Sequence, residues 1–414
     1  MNKITRVTTR DARFDLPGGS GSDSVHGDPQ YAYAVTQLHA GNLIGEGASF
    51  TLGDGNDVVC ELAQILGERL LVIGGTDIEE IMAQFGALHK QLADHSRLRW
   101  LGPHKGAVHL ALASVTNAAF DLWALHRDQP LWELLLSLDD ESVVALLDLS
   151  WIDDRLSHVD AVELVGSHRS TRSERLPITE SGYPGYDTSI GWFNYSDAEV
   201  SARTERAVSR GFGALKLKVG SADLARDLRR FSLVREAAGA ETRIMVDANQ
   251  QWSLREAEIA CREFARLGAH WIEEPTHPDD VLGHQRLATI ARSGGSLIAL
   301  GEHVSNRVQF KNFMEADAVD VVQVDALRVA GVSEFIAVSM LATSFGLPVV
   351  PHVGDMGQLH QHLVLFNHVA LGLPAELLEY IPHLSDRFVD PAIVADGVYQ
   401  TPRMAGAGQR LVAE

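Results

Sequence analysis

The stretch Gly213-Ala214-Leu215-Lys216-Leu217-Lys218-Val219-Gly220 sets two lysines two residues apart in a short apolar run closed by glycines. As a β-strand it turns Lys216 and Lys218 to one face, because side chains alternate along a strand. Neighbouring ammonium groups repel, and the repulsion lowers the proton affinity of at least one of them. A lysine tuned in this way can act as a base near neutral pH. Taken alone, an exposed pair on an edge strand is the simpler reading. The chain after Lys218 argues against it.

Six further strand-like segments follow: RIMVDAN (243–249), HWIEEP (270–275), SLIALGEH (296–303), AVDVVQVDA (318–326), LPVVPHVG (347–354) and ELLEYI (376–381). Helical patterns lie between them at 253–267, 305–315, 330–345 and 357–371. Upstream, VVALLDL (143–149) is expected to be the first strand. A long polar insertion then spans 152–195, and a helix at 196–210 leads into the lysine strand. The aromatics of GYPGYDTSIGWFNY (182–195) suit a pocket wall or a subunit interface. Short apolar strands alternating with helices predict parallel strands joined by right-handed crossovers. Eight of them over about 240 residues match a TIM-type barrel. An open doubly wound sheet fits less well, because no G-x-G-x-x-G follows a strand.

The N-terminal part reads differently. A hairpin is expected from Tyr31–Leu38 and Leu43–Phe50, with helices over 56–95 and a long amphipathic helix from Gly106 to His126. The fold class is therefore α/β: a modified (β/α)7β TIM barrel over 141–381, with an α+β capping domain over 1–140 that also takes the tail 382–414. The loop LPGGSGSDSVHGDP (16–29) is too rich in Gly, Ser and Pro for regular structure. It reads as a linker or as a mobile lid over a site.

The 414 residues carry a net charge of −20, which disfavours nucleic acid and anionic membranes as partners. An anionic substrate must then be drawn in by local positive charge, from lysines or a metal. Two distant cysteines, Cys60 and Cys261, fit a reducing compartment. No apolar run of signal-peptide or membrane-span length is visible, so a cytoplasmic protein is expected.

Each strand from the lysine pair onward has a polar residue near its C-terminal end: Lys218, Asp247, Glu273, Glu302, Asp325, His352 and Glu379. They lie 23 to 29 residues apart, one βα unit each time. A barrel gathers such ends at one mouth. A single Asp at a strand end is commonly a helix cap, but seven in succession point to a site. Asp247, Glu273 and Glu302 are three hard oxygen donors on successive strands, which suits Mg²⁺. Glu274 should turn away to support them. Asp325 would orient His352 and raise its proton affinity. Lys218 and His352 would then face a bound substrate from opposite sides. This logic suits abstraction of the proton α to a carboxylate. Lys216 and the metal would bind that carboxylate and stabilise the enediolate.

The series KLKVG, VDANQ, WIEEPT, GEH, QVDA, PH and a final-strand Glu resembles the mandelate racemase branch of the enolase superfamily. The pairing of a Lys or His base with Mg²⁺ is a general property of such sites. More narrowly, LRWLGPHKG (98–106), ESGYPGYDTSIGWFNYSD (180–197), WIEEPTHPDDVLGH (271–284), GEHVSNRVQFK (301–311) and GSDSVHGDPQY (21–31) resemble the L-fuconate dehydratase family. The resemblance implies an Mg²⁺-dependent enzyme that removes water from a 6-deoxy acid sugar to give a 2-keto-3-deoxy acid. It implies Lys218 as base, His352 as acid held by Asp325, and Asp247, Glu273 and Glu302 as metal ligands. Lys216, Asn249 and Glu379 would contact substrate, with Ser22, Asp23 and Tyr31 from the loop. It also implies a homo-oligomer. Two alternatives keep the barrel: a dehydratase for another acid sugar, and a racemase or epimerase of an α-hydroxy acid. A third is a non-catalytic carboxylate-binding barrel. The chain departs from the family after PHVG, where DMGQLHQHLVLFNH (355–368) replaces a Gly-rich turn and is shorter. The C-terminus is also shorter. His360 and His362 in this turn read as helix or interface residues rather than ligands.

Overall fold

The computed structural model describes residues 3–412. The outermost residues of the expected cap and tail, 1–2 and 413–414, lie outside them. The N-terminal sheet is antiparallel, with β1 (Arg6–Asp15), β2 (Gln30–Ala40) and β3 (Leu43–Thr51) in that spatial order. The helix Gly106–His126 lies across β3. The approach is so close that a Cβ on Gly47 would sit 2.1 Å from the backbone nitrogen of Ala118, which only glycine allows. By length and composition this helix could cross a membrane, but 89% of its most apolar window is buried within the fold.

The barrel follows. Its strands are β4 (Tyr183–Gly191), β5 (Ala214–Lys218), β6 (Arg243–Asp247), β7 (Trp271–Glu273), β8 (Leu297–Leu300) and β9 (Val321–Val322), each parallel to the next. The seventh position is a single bridge, Val322 to Val349. The eighth, β10 (Leu378–Tyr380), pairs with β4 and brings the sheet round on itself. Helices follow each of the first seven positions, giving (β/α)7β. Tyr186, Ala214, Met245, Trp271, Ala299, Val321, Val350 and Leu377 form one buried cluster, one residue from each strand position. This is the packed interior layer that makes the barrel a core rather than a pore.

The first strand is a correction. Residues 143–149 form no strand; Asp140–Ala145 is a helical turn whose cap, Asp139, accepts from the Ser142 amide at 2.7 Å. A short apolar run cannot by its pattern tell strand from buried helix, and the Asp cap decided it. The stretch 182–195, expected to be insertion, supplies β4 instead. Its Gly, Pro and Asp content conceals a strand held by pairing with β5 on one side and β10 on the other.

Cap and barrel are stitched at the mouth. Buried Asn117 donates to Ala48 O and Ala326 O, both at 3.0 Å, and accepts from Val332 N at 3.0 Å. The Phe50 amide donates to Leu327 O at 3.1 Å. The end of β3 therefore sits beside the loop that carries Asp325.

Candidate active site

Strand register levels the site. Lys218 is paired with Asp247, and Asp247 with Glu273, so three functional side chains ring the mouth at one height. Lys218 Nζ donates to Asp247 Oδ2 at 2.5 Å and to Asn249 Oδ1 at 3.1 Å. One layer deeper, Lys216 Nζ meets Glu273 Oε1 at 2.6 Å and Glu379 Oε1 at 2.8 Å, with Asp247 Oδ2 at 3.7 Å. Both lysines are buried, not displayed on an edge.

That changes the expected tuning of Lys218. Burial pushes its proton affinity down and Lys216 does so more weakly. Asp247, with help from Glu302 and Asp23, outweighs both, and the net direction is up. The repulsion is real, but three carboxylates outweigh it while they carry their charge.

Asp247, Glu273 and Glu302 bring one oxygen each to within 4.8 Å of one another. Glu302 Oε2 is buried and accepts no hydrogen bond among the described residues. Its nearest cation is His352 Nε2 at 3.2 Å. Three converging carboxylates with one oxygen left without a hydrogen bond carry more negative charge than the His352 imidazolium beside them offsets, and oxygen donors without sulfur fit Mg²⁺. The residues present thus fit the ion. Glu274 and His303 flank the triad, His303 Nδ1 lying 3.2 Å from Glu302 Oε1 and 3.4 Å from Glu274 Oε2.

Across the mouth, His352 Nδ1 lies 2.7 Å from Asp325 Oδ2. Burial lowers the proton affinity of His352, but Glu302 and Asp325 raise it further, to about 9. Asp325 is held well below the usual carboxylate range: burial opposes this, and His360 and His352 overcome it. Asn249, Gln250 and Glu274 all have left-handed backbones, with φ of 45°, 61° and 41°. Three such non-glycine residues behind adjacent strand ends mark strain stored at the site.

Lys218, Asn249, Glu302, His352 and Glu379 line one cavity of about 280 Å³, with Asp23 and Tyr31 from the loop. Asp247, Glu273 and Lys216 lie beneath it. Ser22 does not line it. Its hydroxyl donates to Gly19 O at 2.6 Å and accepts from the Asn194 amide at 3.0 Å, so it pins the loop. The loop is further held by Phe193 N to Ser22 O (2.9 Å), Asn194 Nδ2 to Gly27 O (2.6 Å) and Ser24 Oγ to Ala248 O (2.9 Å). Gly220 is required where the loop docks, since at φ 101° a Cβ would lie 2.7 Å from Ser24 Oγ. Of the aromatics at 182–195 read as a pocket wall or an interface, Trp192 lines the cavity; sequence reasoning missed His26, His303, Arg328, and Phe50, Leu52 and Leu110 from the cap. The aromatic run at 182–195 was the one signal for Trp192. The cap residues carry no signal, because nothing local says which barrel loop they meet.

A (β/α)7β barrel with carboxylates on successive strand ends, between a lysine pair and a His–Asp pair, defines the enolase type of barrel. The family model for enolase C-terminal domain-like proteins matches residues 199–414, and the chain belongs to the enolase superfamily. The crystal structure of human mitochondrial enolase superfamily member 1 superposes with a TM-score of 0.94 at 36% identity, covering 99% of this chain and 94% of that one. L-galactonate dehydratase of Hypocrea jecorina is 34% identical over 412 residues, 97% of this chain and 90% of its own. L-talarate/galactarate dehydratase from Salmonella typhimurium, liganded with Mg and L-lyxarohydroxamate, gives a TM-score of 0.77 at 25% identity over 99% and 91% of the two chains.

Proposed function

We propose that this protein is an Mg²⁺-dependent acid-sugar dehydratase, with a six-carbon 6-deoxy acid sugar of the L-fuconate kind as substrate. The observation that carries the reading is one cavity with Lys218, His352 and Glu302 in its lining and Asp247 and Glu273, which converge with Glu302, outside that lining. The dehydratase names of the relatives support it.

Asp247, Glu273 and Glu302 would hold the ion. Bound there, Mg²⁺ offsets their charge and supplies Lewis-acid stabilisation of a substrate carboxylate. With those carboxylates paired, burial and Lys216 lower the proton affinity of Lys218 and only the more distant charge of Asp23 still raises it. Lys218 then takes the proton from the carbon α to the carboxylate. Asn249 Oδ1, at 3.1 Å, keeps its Nζ aimed. His352, protonated at neutral pH, gives the proton on Nε2 to the leaving β-hydroxyl, while Asp325 holds Nδ1. Water departs, and the enol tautomerises to the 2-keto-3-deoxy acid. Glu379 Oε2 accepts from the Val353 amide at 3.0 Å and so ties the last strand to the histidine loop. Asp23 and Tyr31 would meet the substrate from above.

The specificity reading rests on the walls. Phe50, Leu52, Leu110 and Ile381 offer an apolar surface to a terminal methyl group. Arg328, the arginine in the lining, spends Nε and Nη1 on the carbonyls of Glu302 and Phe50 at 3.2 and 3.3 Å, which leaves less for a second carboxylate. We also take the working form to be a homo-oligomer in a reducing, cytosol-like compartment, with both cysteines free and buried. Light scattering tests the assembly.

The deciding experiment is a panel of mono- and diacid sugars with Mg²⁺, read for 2-keto products. L-fuconate should lead L-galactonate, and galactarate should trail both. Lys218→Ala and His352→Asn should each abolish product while still binding Mg²⁺. Full turnover by either variant would sink the assignment. Deuterium in recovered substrate with no keto product would instead favour a racemase or epimerase.

A further inference from the structure

We propose that His360 is a positioning residue for the Asp325–His352 pair: its imidazole holds the far oxygen of the Asp325 carboxylate and so fixes how His352 faces the cavity. The inference rests on the acid role given to His352 above and adds a group behind it.

His360 Nε2 lies 3.0 Å from Asp325 Oδ1, on the side of the carboxylate away from His352. It is the second residue of the helix Leu359–Leu371 and is 1% exposed. The edge or face of its ring is packed against Phe335, with centroids 6.2 Å apart. Oδ1 also accepts from the Leu327 amide at 2.7 Å. Asp325 therefore has three donors arranged around a fully buried carboxylate: one histidine on each oxygen and one backbone amide.

The tautomer follows from the surroundings. His360 Nδ1 is buried and has no partner among the described residues. A proton there would be a donor with nothing to meet, and it would leave Nε2 facing the Asp325 oxygen lone pair to lone pair. A proton on Nε2 gives Oδ1 its donor, at the cost of a bare acceptor at Nδ1 and of the acceptor that the Ala326 N–H would otherwise have at Nε2; the charged carboxylate sets the balance. The Ala326 amide, 3.1 Å from Nε2, points at the same atom, but a backbone dipole is weaker than a carboxylate charge. No proton leaves His360 in the reaction. The proton given to the leaving oxygen comes from Nε2 of His352.

The role belongs to the altered turn. The helix Leu359–Leu371 begins seven residues after His352, and its second residue reaches Asp325, so the turn that departs in sequence is the one that supplies the extra imidazole. An Asp325 carboxylate clamped at both oxygens cannot rotate, and His352, tied to Oδ2, cannot turn its Nε2 from the cavity.

Three variants and one spectrum test this. His360→Phe should lower kcat for dehydration roughly 10–100-fold while KM and Mg²⁺ affinity stay within about twofold, as loss of an outer support does. His360→Gln, whose amide N–H reaches the Nε2 position, should recover much of the loss, and His360→Leu should not. In D₂O, His360→Phe should return substrate labelled at the α-carbon, because Lys218 still removes that proton while elimination is slow. Wild-type kcat in a folded His360→Phe, equal loss of labelling and dehydration, or no advantage of Gln over Leu would overturn the proposal. Nitrogen-15 NMR of histidine-labelled wild-type protein should find the His360 proton on Nε2, and a proton on Nδ1 would overturn it without any variant. If no acid sugar is turned over by the wild type, the function reading fails, and the spectrum still judges this one.

Discussion

Lys216 shows how far a side chain's role depends on what surrounds it. Its sequence neighbour is Lys218, but its partners in space are Glu273, Glu379 and Asp247. It is the positive centre of a buried carboxylate group, and burial already pushes Glu273 up to about 8 against it. Removing one member of a buried ion network leaves the others uncompensated. Lys216→Met should therefore destabilise the Mg²⁺-free protein by roughly 3–5 kcal/mol at neutral pH, read by denaturant unfolding. The loss should shrink as pH falls, because the orphaned carboxylates are then protonated in the folded protein at less cost. A loss independent of pH would mean that Lys216 acts through packing alone.

Among the elements, the helix Gly106–His126 carries the cap. Its Asp121 accepts from the Glu46 amide of β3 at 2.8 Å and from the Ala407 amide of the C-terminal tail at 2.6 Å. Burial pushes this carboxyl up to about 7, against those two donors. The sign is that of a carboxyl raised on folding: below about 4 both states hold the proton, and above it the folded state binds more protons than the unfolded one. Stability should then fall as pH rises from about 4 to 7, by up to about 1.4 kcal/mol per pH unit from this group. Asp121→Asn should flatten that slope in chemical unfolding measured across the range. An unchanged slope would place the dependence elsewhere.

For the whole molecule, the charge of −20 and the convergent triad make cation binding a stability term as well as a chemical one. Mg²⁺ that binds only the folded protein must raise Tm, with a stabilisation that grows as the logarithm of one plus its concentration over its Kd. Chelation by EDTA should lower Tm and abolish dehydration together, and Mg²⁺ should restore both. Glu302→Gln should blunt the Mg²⁺ response of Tm. The cavity is also a property of the whole: Phe50, Leu52 and Leu110 of the cap and Asp23 and Tyr31 of the loop roof a floor made by the barrel.

The βα rhythm and the strand-end residues were written in local pattern, because a strand's C-terminal position follows from it and each βα unit has nearly constant length. Lys218, Asp247, Glu273, Glu302, Asp325, His352 and Glu379 were legible in that way. The helix Gly106–His126 was legible because its apolar face repeats over many turns. Tertiary structure decided the rest. β4 is a strand because β5 and β10 flank it, while the more apolar 143–149 turns into helix behind Asp139. Without a metal, the proton affinity of Lys218 is raised because Asp247 and Glu302 from other strand ends and Asp23 from the loop outweigh burial and Lys216. His360 meets Asp325 across 35 residues of chain because the closed barrel sets the helix Leu359–Leu371 beside the strand end that carries Asp325. Local periodicity carries information about the direction and level of a side chain. What that side chain faces is set by the closing of the barrel, and so are its charge and its role.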